Sequence, residues 1–225
     1  MKRYLFFIAV AVCACQPKDA CLSKGGLNDC LRYNVPAKIW EETLPLGNGR
    51  LGCMPYGEIE NERVVLNDIS MWAGSEADYA NPEAAKSLNA IRQLLFEGKN
   101  NEAQDLMYKS FVPKSTGGNT YGSFQMLADL DMELTAPFDT VGYRRSLDMS
   151  QGIVGVTYQA QKAHYKREYF ASRDIDVIVV RYETDGKAFD LLARLSRPER
   201  GEVSFDDGRL VLSGELDSGA KGVRG

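Results

Sequence analysis

From residue 127 onward the chain offers one strand-like segment after another and no helical one, and this constrains its fold more than any other feature. The stretch "LADLDMEL" at 127–134 puts Ala128, Leu130, Met132 and Leu134 on one face and Asp129, Asp131 and Glu133 on the other. That period of two marks a half-buried strand whose three acids form a solvated face. The segments "GIVGVTYQA", "HYKREYFAS", "DVIVVRYET", "FDLLARLS" and "RLVLSGEL" follow, with turns at Asp185-Gly186 and Asp207-Gly208 between the later ones. Successive strands joined by short turns, with no helix to cross over, predict an antiparallel β-sandwich.

One helical region interrupts the pattern, "NPEAAKSLNAIRQLLFEGKNNEAQDLMYKSF" at 81–111. Asn81 is placed to cap it, Pro82 fits the first turn, and Leu88, Ile91 and Leu95 share a helical face. Gly98 ends this helix and Asn101 can start a second, carrying Ala103, Leu106, Met107 and Ser110. The pair predicts a helical hairpin inserted into a strand-rich domain.

"LPLGNGRLG" at 44–52 has the G-x-G-x-x-G spacing of a dinucleotide-binding loop, at Gly47, Gly49 and Gly52. Such a loop needs a buried strand before it and a helix after it, because the helix N-terminus carries the pyrophosphate. Here "WEETLPL" precedes and "CMPYGEIENERVVL" follows, where Pro55 and Gly57 disfavour a helix. The second stretch reads as a strand, a turn near Glu60-Asn61 and a strand from Arg63 to Leu66. The glycines therefore serve a tight turn, and no nucleotide cofactor is expected.

With 225 residues, 44% hydrophobic and 26% charged, the chain is long enough for one sizeable core. A net charge of -4 without a basic stripe argues against nucleic acid as a partner. The single histidine, His164, leaves little material for zinc sites or Ser-His-acid triads, and no metal-ligand spacing is present. The start, "MKRYLFFIAVAVCACQ", joins Lys2-Arg3 to an apolar run from Tyr4 to Val12 that is too short to span a bilayer. Residues 1–15 thus read as an export leader, and residues 16–30 as a polar tether. In an oxidising compartment Cys21, Cys30 and Cys53 allow at most one disulfide, with Cys53 a buried core thiol and a Cys21–Cys30 bridge open. Glu41 and Glu42 diverge as neighbours, Arg144-Arg145 fits an exposed turn with ion pairs better than an anion site, and His164 belongs to a surface position. Ser70 and Ser75 have no histidine beside them in sequence.

"VCAC" at 12–15 resembles a bacterial lipobox, which implies lipidation of Cys15 and a membrane association through that anchor alone. The motifs "W-x-E-x-LPLGNGRLG", "ERVVLND", "MWAG", "NPEAAKSLNAIRQLLFEG", "EAQDLM", "YRRSLDM" and "YKREYFAS" resemble, in order over residues 31–225, the N-terminal domain of glycoside hydrolase family 95. These are α-L-fucosidases and relatives acting on α-L-galactosides. The resemblance implies a mainly β, supersandwich-like domain, cut here before the (α/α)6 barrel that carries the catalytic acid and its water-activating partners. It implies an exported bacterial enzyme, periplasmic or at the cell surface, whose fucosylated glycan substrate is bound through that barrel, by inverting hydrolysis. No catalytic residue is then expected in these 225 residues. For Asn48, Arg50, Asn67, Asp68 and Trp72 two readings stay open. Either Asn48 and Asn67 cap turns, Arg50 pairs with an acid and Trp72 fills a core or interface gap, or this loop face closes the substrate pocket with Trp72 stacked on a sugar. A carbohydrate-binding module without catalysis is the other function class. Residues 16–225 alone are expected to release no fucose and to associate through an exposed face and an unpaired sheet edge.

Overall fold

The computed structural model describes residues 8–12, 29–74, 80–111, 122–135, 139–187 and 189–216. The chain divides into two compact units, one of residues 1–71 with 125–214 and the other of 72–124 with 215–225.

The first unit is built from two main sheets. One holds six strands in the order β1-β12-β11-β10-β9-β2: β1 (Ile8–Val12), β12 (Ile178–Thr184), β11 (Ala163–Ala171), β10 (Ile153–Ala160), β9 (Thr140–Asp148) and β2 (Cys30–Tyr33). The other holds five in the order β13-β8-β5-β4-β3: β13 (Leu191–Ser196), β8 (Ala128–Leu134), β5 (Asn61–Asp68), β4 (Leu51–Pro55) and β3 (Leu46–Gly47). All neighbours pair antiparallel except β1 and β12, which run parallel from Ile8↔Ile178 to Val12↔Tyr182. The β14–β15 hairpin (Gly201–Asp206, Arg209–Gly214) completes the unit, with Leu212 packed on the core. The expected sandwich architecture is thus the observed one.

Period-two alternation decides which side chains enter the core. On β8, Ala128, Leu130, Met132 and Leu134 are buried. Their neighbours face outward, where Asp129 meets Arg63 at 2.8 Å and Glu133 meets Arg194 at 3.2 Å. From the six-stranded sheet come Leu147, Val154, Val156, Tyr158, Tyr165, Tyr169, Ile178, Val180 and Tyr182. Tyr158 and Tyr165 stack with centroids 5.0 Å apart, and burial raises the Tyr158 phenol to about 12. The β10–β11 hairpin turns on Gln161 and Lys162, both at positive φ. This is the primed geometry that suits the strand twist, adopted here without a glycine. At Asp207-Gly208 the expected pair does the same.

The two sheets are tied by an ion pair through the core. Glu62 of β5 and Arg167 of β11 meet at 2.9 Å with side chains 0% and 3% exposed. Glu62 also accepts the Gly57 N–H at 3.0 Å. Arg167 donates to the Glu58 carbonyl and to the Tyr182 hydroxyl, and its guanidinium lies over the Tyr169 and Tyr182 rings. Burial pushes the Glu62 carboxyl up, against the pull of Arg167 and the Gly57 N–H. For Arg167 burial acts downward, but Glu62 and the flanking tyrosines outweigh it and hold the guanidinium well above its ordinary value.

The reading of the arginine pair is corrected. Arg144 and Arg145 lie in β9, not in an exposed turn, and Arg145 is 2% exposed because the strand's alternation turns it inward. The apolar run at the N-terminus contributes β1, while Cys15 and Cys21 fall outside the described residues. Cys30, expected at the end of the tether, opens β2 and is disulfide-bonded. Cys53 is a free buried thiol, raised to about 12 by burial and then by Glu62, as a core position requires.

In the second unit, β6 (Trp72–Ala73) pairs with β7 (Ser123–Phe124), and between them stand α1 (Ala84–Phe96) and α2 (Asn100–Ser110). The Asn81 side chain accepts the Glu83 N–H at 3.1 Å at the entry to α1, and Gly98, at φ 74, ends it. The packed face is rotated from the expected one. Ile91 is buried, but Leu88 and Leu95 stay 37% and 52% exposed, while Leu94 is the more covered. On α2 Ala103 is buried and Met107 is exposed. Small residues at the contact let the helices meet on a narrow stripe, leaving the larger apolar groups at its flank. Among the described residues no helix is long and apolar enough to cross a membrane.

The core ion pair generates a double-mutant prediction. Arg167→Met strands a buried carboxylate and should cost about 3–5 kcal/mol in urea unfolding, whereas adding Glu62→Leu should restore most of that loss.

Candidate functional site

The turn at the head of "LPLGNGRLG" is organised by its asparagine. The Asn48 N–H donates to the Leu51 carbonyl at 3.0 Å, closing the β3–β4 hairpin. Its side-chain oxygen accepts the N–H groups of Arg50 at 2.9 Å and Leu51 at 2.7 Å. This side-chain turn needs a short amide at position 48 and a residue that tolerates positive φ after it, which Gly49 supplies at φ 95. At Gly47 a Cβ would come 2.7 Å from the Leu51 carbonyl oxygen. The glycine pattern thus shapes a strand-to-strand turn, and no helix N-terminus follows it to receive a phosphate.

That turn is fastened to the connection between β11 and β12. The Asn48 amide donates to the Ser172 carbonyl at 2.6 Å and to Asp176 at 3.3 Å. Arg50 binds Asp176 through Nη1 at 2.6 Å and Asp68 through Nε at 3.4 Å. Its pKa is raised, first by the Asp176 hydrogen bond. Asp68, 4% exposed at the end of β5, uses its other oxygen to accept the Ser70 N–H at 2.8 Å and hydroxyl at 2.6 Å. The same Asp-x-Ser arrangement ends β9, where Asp148 accepts from Ser150, and that hydroxyl bond leads in holding the Asp148 carboxyl low. Beside the polar cluster Ile69 and Ile175 are 60% and 63% exposed.

Of the five residues singled out in the sequence, Asn48, Arg50 and Asp68 therefore come together in one hydrogen-bonded set. Asn67 adjoins them on β5 and does not cap a turn, since its side-chain oxygen is buried without a hydrogen-bond partner. Trp72 belongs to the second unit, where it is 55% exposed and meets the Phe124 ring edge-on at 5.5 Å, so it fills no core gap. Sequence reasoning missed Asp176 and Ser172. The available signal was the acidic turn "RDID" between two strands, but only the fold brings it to Arg50. Glu41 and Glu42 lie in a 3-10 turn, Trp40–Glu42, where Glu42 accepts the Lys38 N–H at 2.7 Å. His164 is an exposed partner of Asp185 at 3.0 Å, and Ser75 lies outside the described residues.

The carboxylates of this cluster are engaged in ion pairs and turn hydrogen bonds. An inverting acid pair needs carboxyl groups about 6.5–9.5 Å apart with a water and a sugar between them. Asp68 and Asp176 instead both bind the Arg50 guanidinium, so the two carboxylates share one cation. Among the described residues no group of three His, Cys, Asp or Glu side chains is arranged to hold a metal ion.

Comparison with known proteins decides the family. The profile of the glycosyl hydrolase family 65 N-terminal domain matches residues 31–224. The chain belongs to this family. It is 30% identical over 154 residues to alpha-L-fucosidase 2 of Arabidopsis thaliana, covering 67% of this chain and 18% of that protein. It is 32% identical over 165 residues to the probable alpha-fucosidase A of Aspergillus niger, covering 68% of this chain and 20% of that protein. The corresponding Aspergillus oryzae protein is 29% identical over 158 residues, with 65% and 21% covered. The chain thus spans about a fifth of the length of the curated relatives it matches. The family profile and the α-fucosidase relatives together bear out the resemblance to a family 95 N-terminal domain.

Within such a domain the Asn48 turn is held by four side-chain hydrogen bonds among the described residues. Asn48→Ala removes the side-chain turn and both anchors to the β11–β12 connection. It should cost about 1–2 kcal/mol in urea unfolding and speed amide exchange at Arg50 and Leu51. Arg50→Ala removes a half-exposed pair with Asp176 but also the cation beside the buried Asp68, so it should lower the urea midpoint, and adding Asp68→Asn should recover part of that loss.

Proposed function

We propose that the chain is the non-catalytic N-terminal sandwich domain of an exported glycoside hydrolase, and that its parent protein removes terminal α-L-fucosyl groups from glycans by inversion. The similarity to α-fucosidases across the sandwich carries this reading. The acids of the loop cluster support a non-catalytic role, because each is committed to Arg50 or to a strand-end cap. The polar set of Asn48, Arg50, Asp68 and Asp176, flanked by Ile69 and Ile175, suits docking against the catalytic part of the parent protein. Such a mixed surface, apolar beside fixed hydrogen-bonding groups, is what a packed interface presents. In this role the cluster sets the shape of the pocket wall, and fucosylated glycan is held by the partner domain.

The leader-like start supports export, with lipidation of Cys15 and a periplasmic or cell-surface location in a bacterium. Wild-type precursor should incorporate radiolabelled palmitate in a bacterial host, and Cys15→Ser should abolish the label. The enzymatic reading is tested by fucose release from a fucosylated oligosaccharide. The chain alone should release none, while the same chain expressed with its downstream coding sequence should release β-fucose first, as seen by NMR. Fucose release by the chain alone would refute the non-catalytic assignment.

A further inference from the structure

Arg145 is a buried cation without a counter-ion among the described residues. Of the two arginines in the core, Arg167 has Glu62 at 2.9 Å. Arg145, 2% exposed, makes one hydrogen bond among the described residues, from Nη1 to the Glu42 carbonyl at 2.7 Å. Its guanidinium lies 4.7 Å from the centre of the Tyr33 ring, and its Nε has no hydrogen-bond partner. Among the described residues no carboxylate forms an ion pair with it. A buried charge is ordinarily paired, because desolvation costs several kcal/mol that one carbonyl and one ring offset only in part.

The surroundings hold the side chain in place rather than letting it escape to water. Gly57, at φ 81, packs so closely that a Cβ there would lie 2.7 Å from both the Arg145 Cδ and the Tyr143 hydroxyl oxygen. Tyr143 in turn donates to the Gly57 carbonyl at 2.7 Å. The cover is lighter. Tyr33 is 43% exposed and sits on β2, a four-residue strand at the edge of its sheet. Leu31, Val35, Ile39 and Trp40 are likewise exposed by 41–55%, an apolar skin on the segments that border the guanidinium.

We propose that Arg145 is a recognition site for a carboxylate carried on a partly apolar molecule, admitted when the Tyr33 ring swings aside. The Nε–H without a partner can donate to one carboxylate oxygen, and the guanidinium charge attracts the group as a whole. One positive charge is balanced by a monoanion, whereas a phosphate dianion would bring surplus negative charge into the same desolvated place. The site lies apart from the Asn48 cluster, and its assignment stands independently of the glycosidase reading.

Thermal melts of the full chain in sodium acetate, against sodium chloride at equal ionic strength, test the proposal. Acetate should raise the melting temperature saturably. Arg145→Met should abolish that rise, and Tyr33→Ala should lower the half-saturating acetate concentration at least about threefold by removing the cover. If Arg145→Met does not fold, Arg145→Lys, which keeps the charge without the fork, should bind acetate at least about tenfold more weakly. Equal acetate responses in wild type and the Arg145 variant, or no response beyond chloride in both wild type and Tyr33→Ala, would overturn it. D-glucuronate and N-acetyl-aspartyl amide then separate the sources, since whichever saturates lower marks the carboxylate as that of an acidic sugar or of a protein side chain.

Discussion

The Glu62–Arg167 pair is the constraint on which the sandwich depends. It joins β5 of one sheet to β11 of the other, and both side chains are withdrawn from water. Apolar packing between sheets is non-directional and tolerates sliding, whereas a carboxylate and a guanidinium at 2.9 Å in a dry core do not. The pair also recruits the turn before β5, through the Gly57 N–H and the Glu58 carbonyl. Fixing that turn fixes Gly57, and Gly57 in turn presses on Arg145 and Tyr143. The path of the Gly57-Glu58 turn is thus tied to this one contact.

The Asn48 end of the unit uses the same chemistry in a wetter setting. Arg50 and Asp176 are partly exposed, so their attraction is screened and contributes little to stability, whereas Asp68 is buried beside them. Their value lies in direction. Asn48 shapes the turn and ties it to the β11–β12 connection, and Arg50 then draws Asp68 and Asp176 from separate strand ends into one patch. A surface fixed this way costs little to dock, because its groups are already ordered before a partner arrives.

Much of this was legible in the residues. The alternation of β8, the turns at Asp185-Gly186 and Asp207-Gly208, the Gly98 stop and the reading of "LPLGNGRLG" as a turn all rest on local backbone preferences, which sequence reports directly. The face of α1 was misread by one position because Leu88, Ile91 and Leu95 are equally apolar, and only the partner helix decides which of them is covered. Arg145 was misplaced for a related reason. A charged pair in sequence suggests a solvated turn, yet alternation along β9 sends one arginine outward and the next into the core.

By itself, the sequence determined the class of the fold, most strands from β8 onward with their turns, the inserted helical hairpin and the family, because each depends on patterns confined to neighbouring residues. Tertiary structure alone decided that Asp176 and Ser172 join Asn48 and Arg50 across more than 120 positions of chain. It alone paired Glu62 with Arg167 and left Arg145 with a ring and a carbonyl in place of an acid. The physical reason is that a charge buried between sheets is defined by what the opposite sheet brings to it, and no local pattern in either strand encodes that partner.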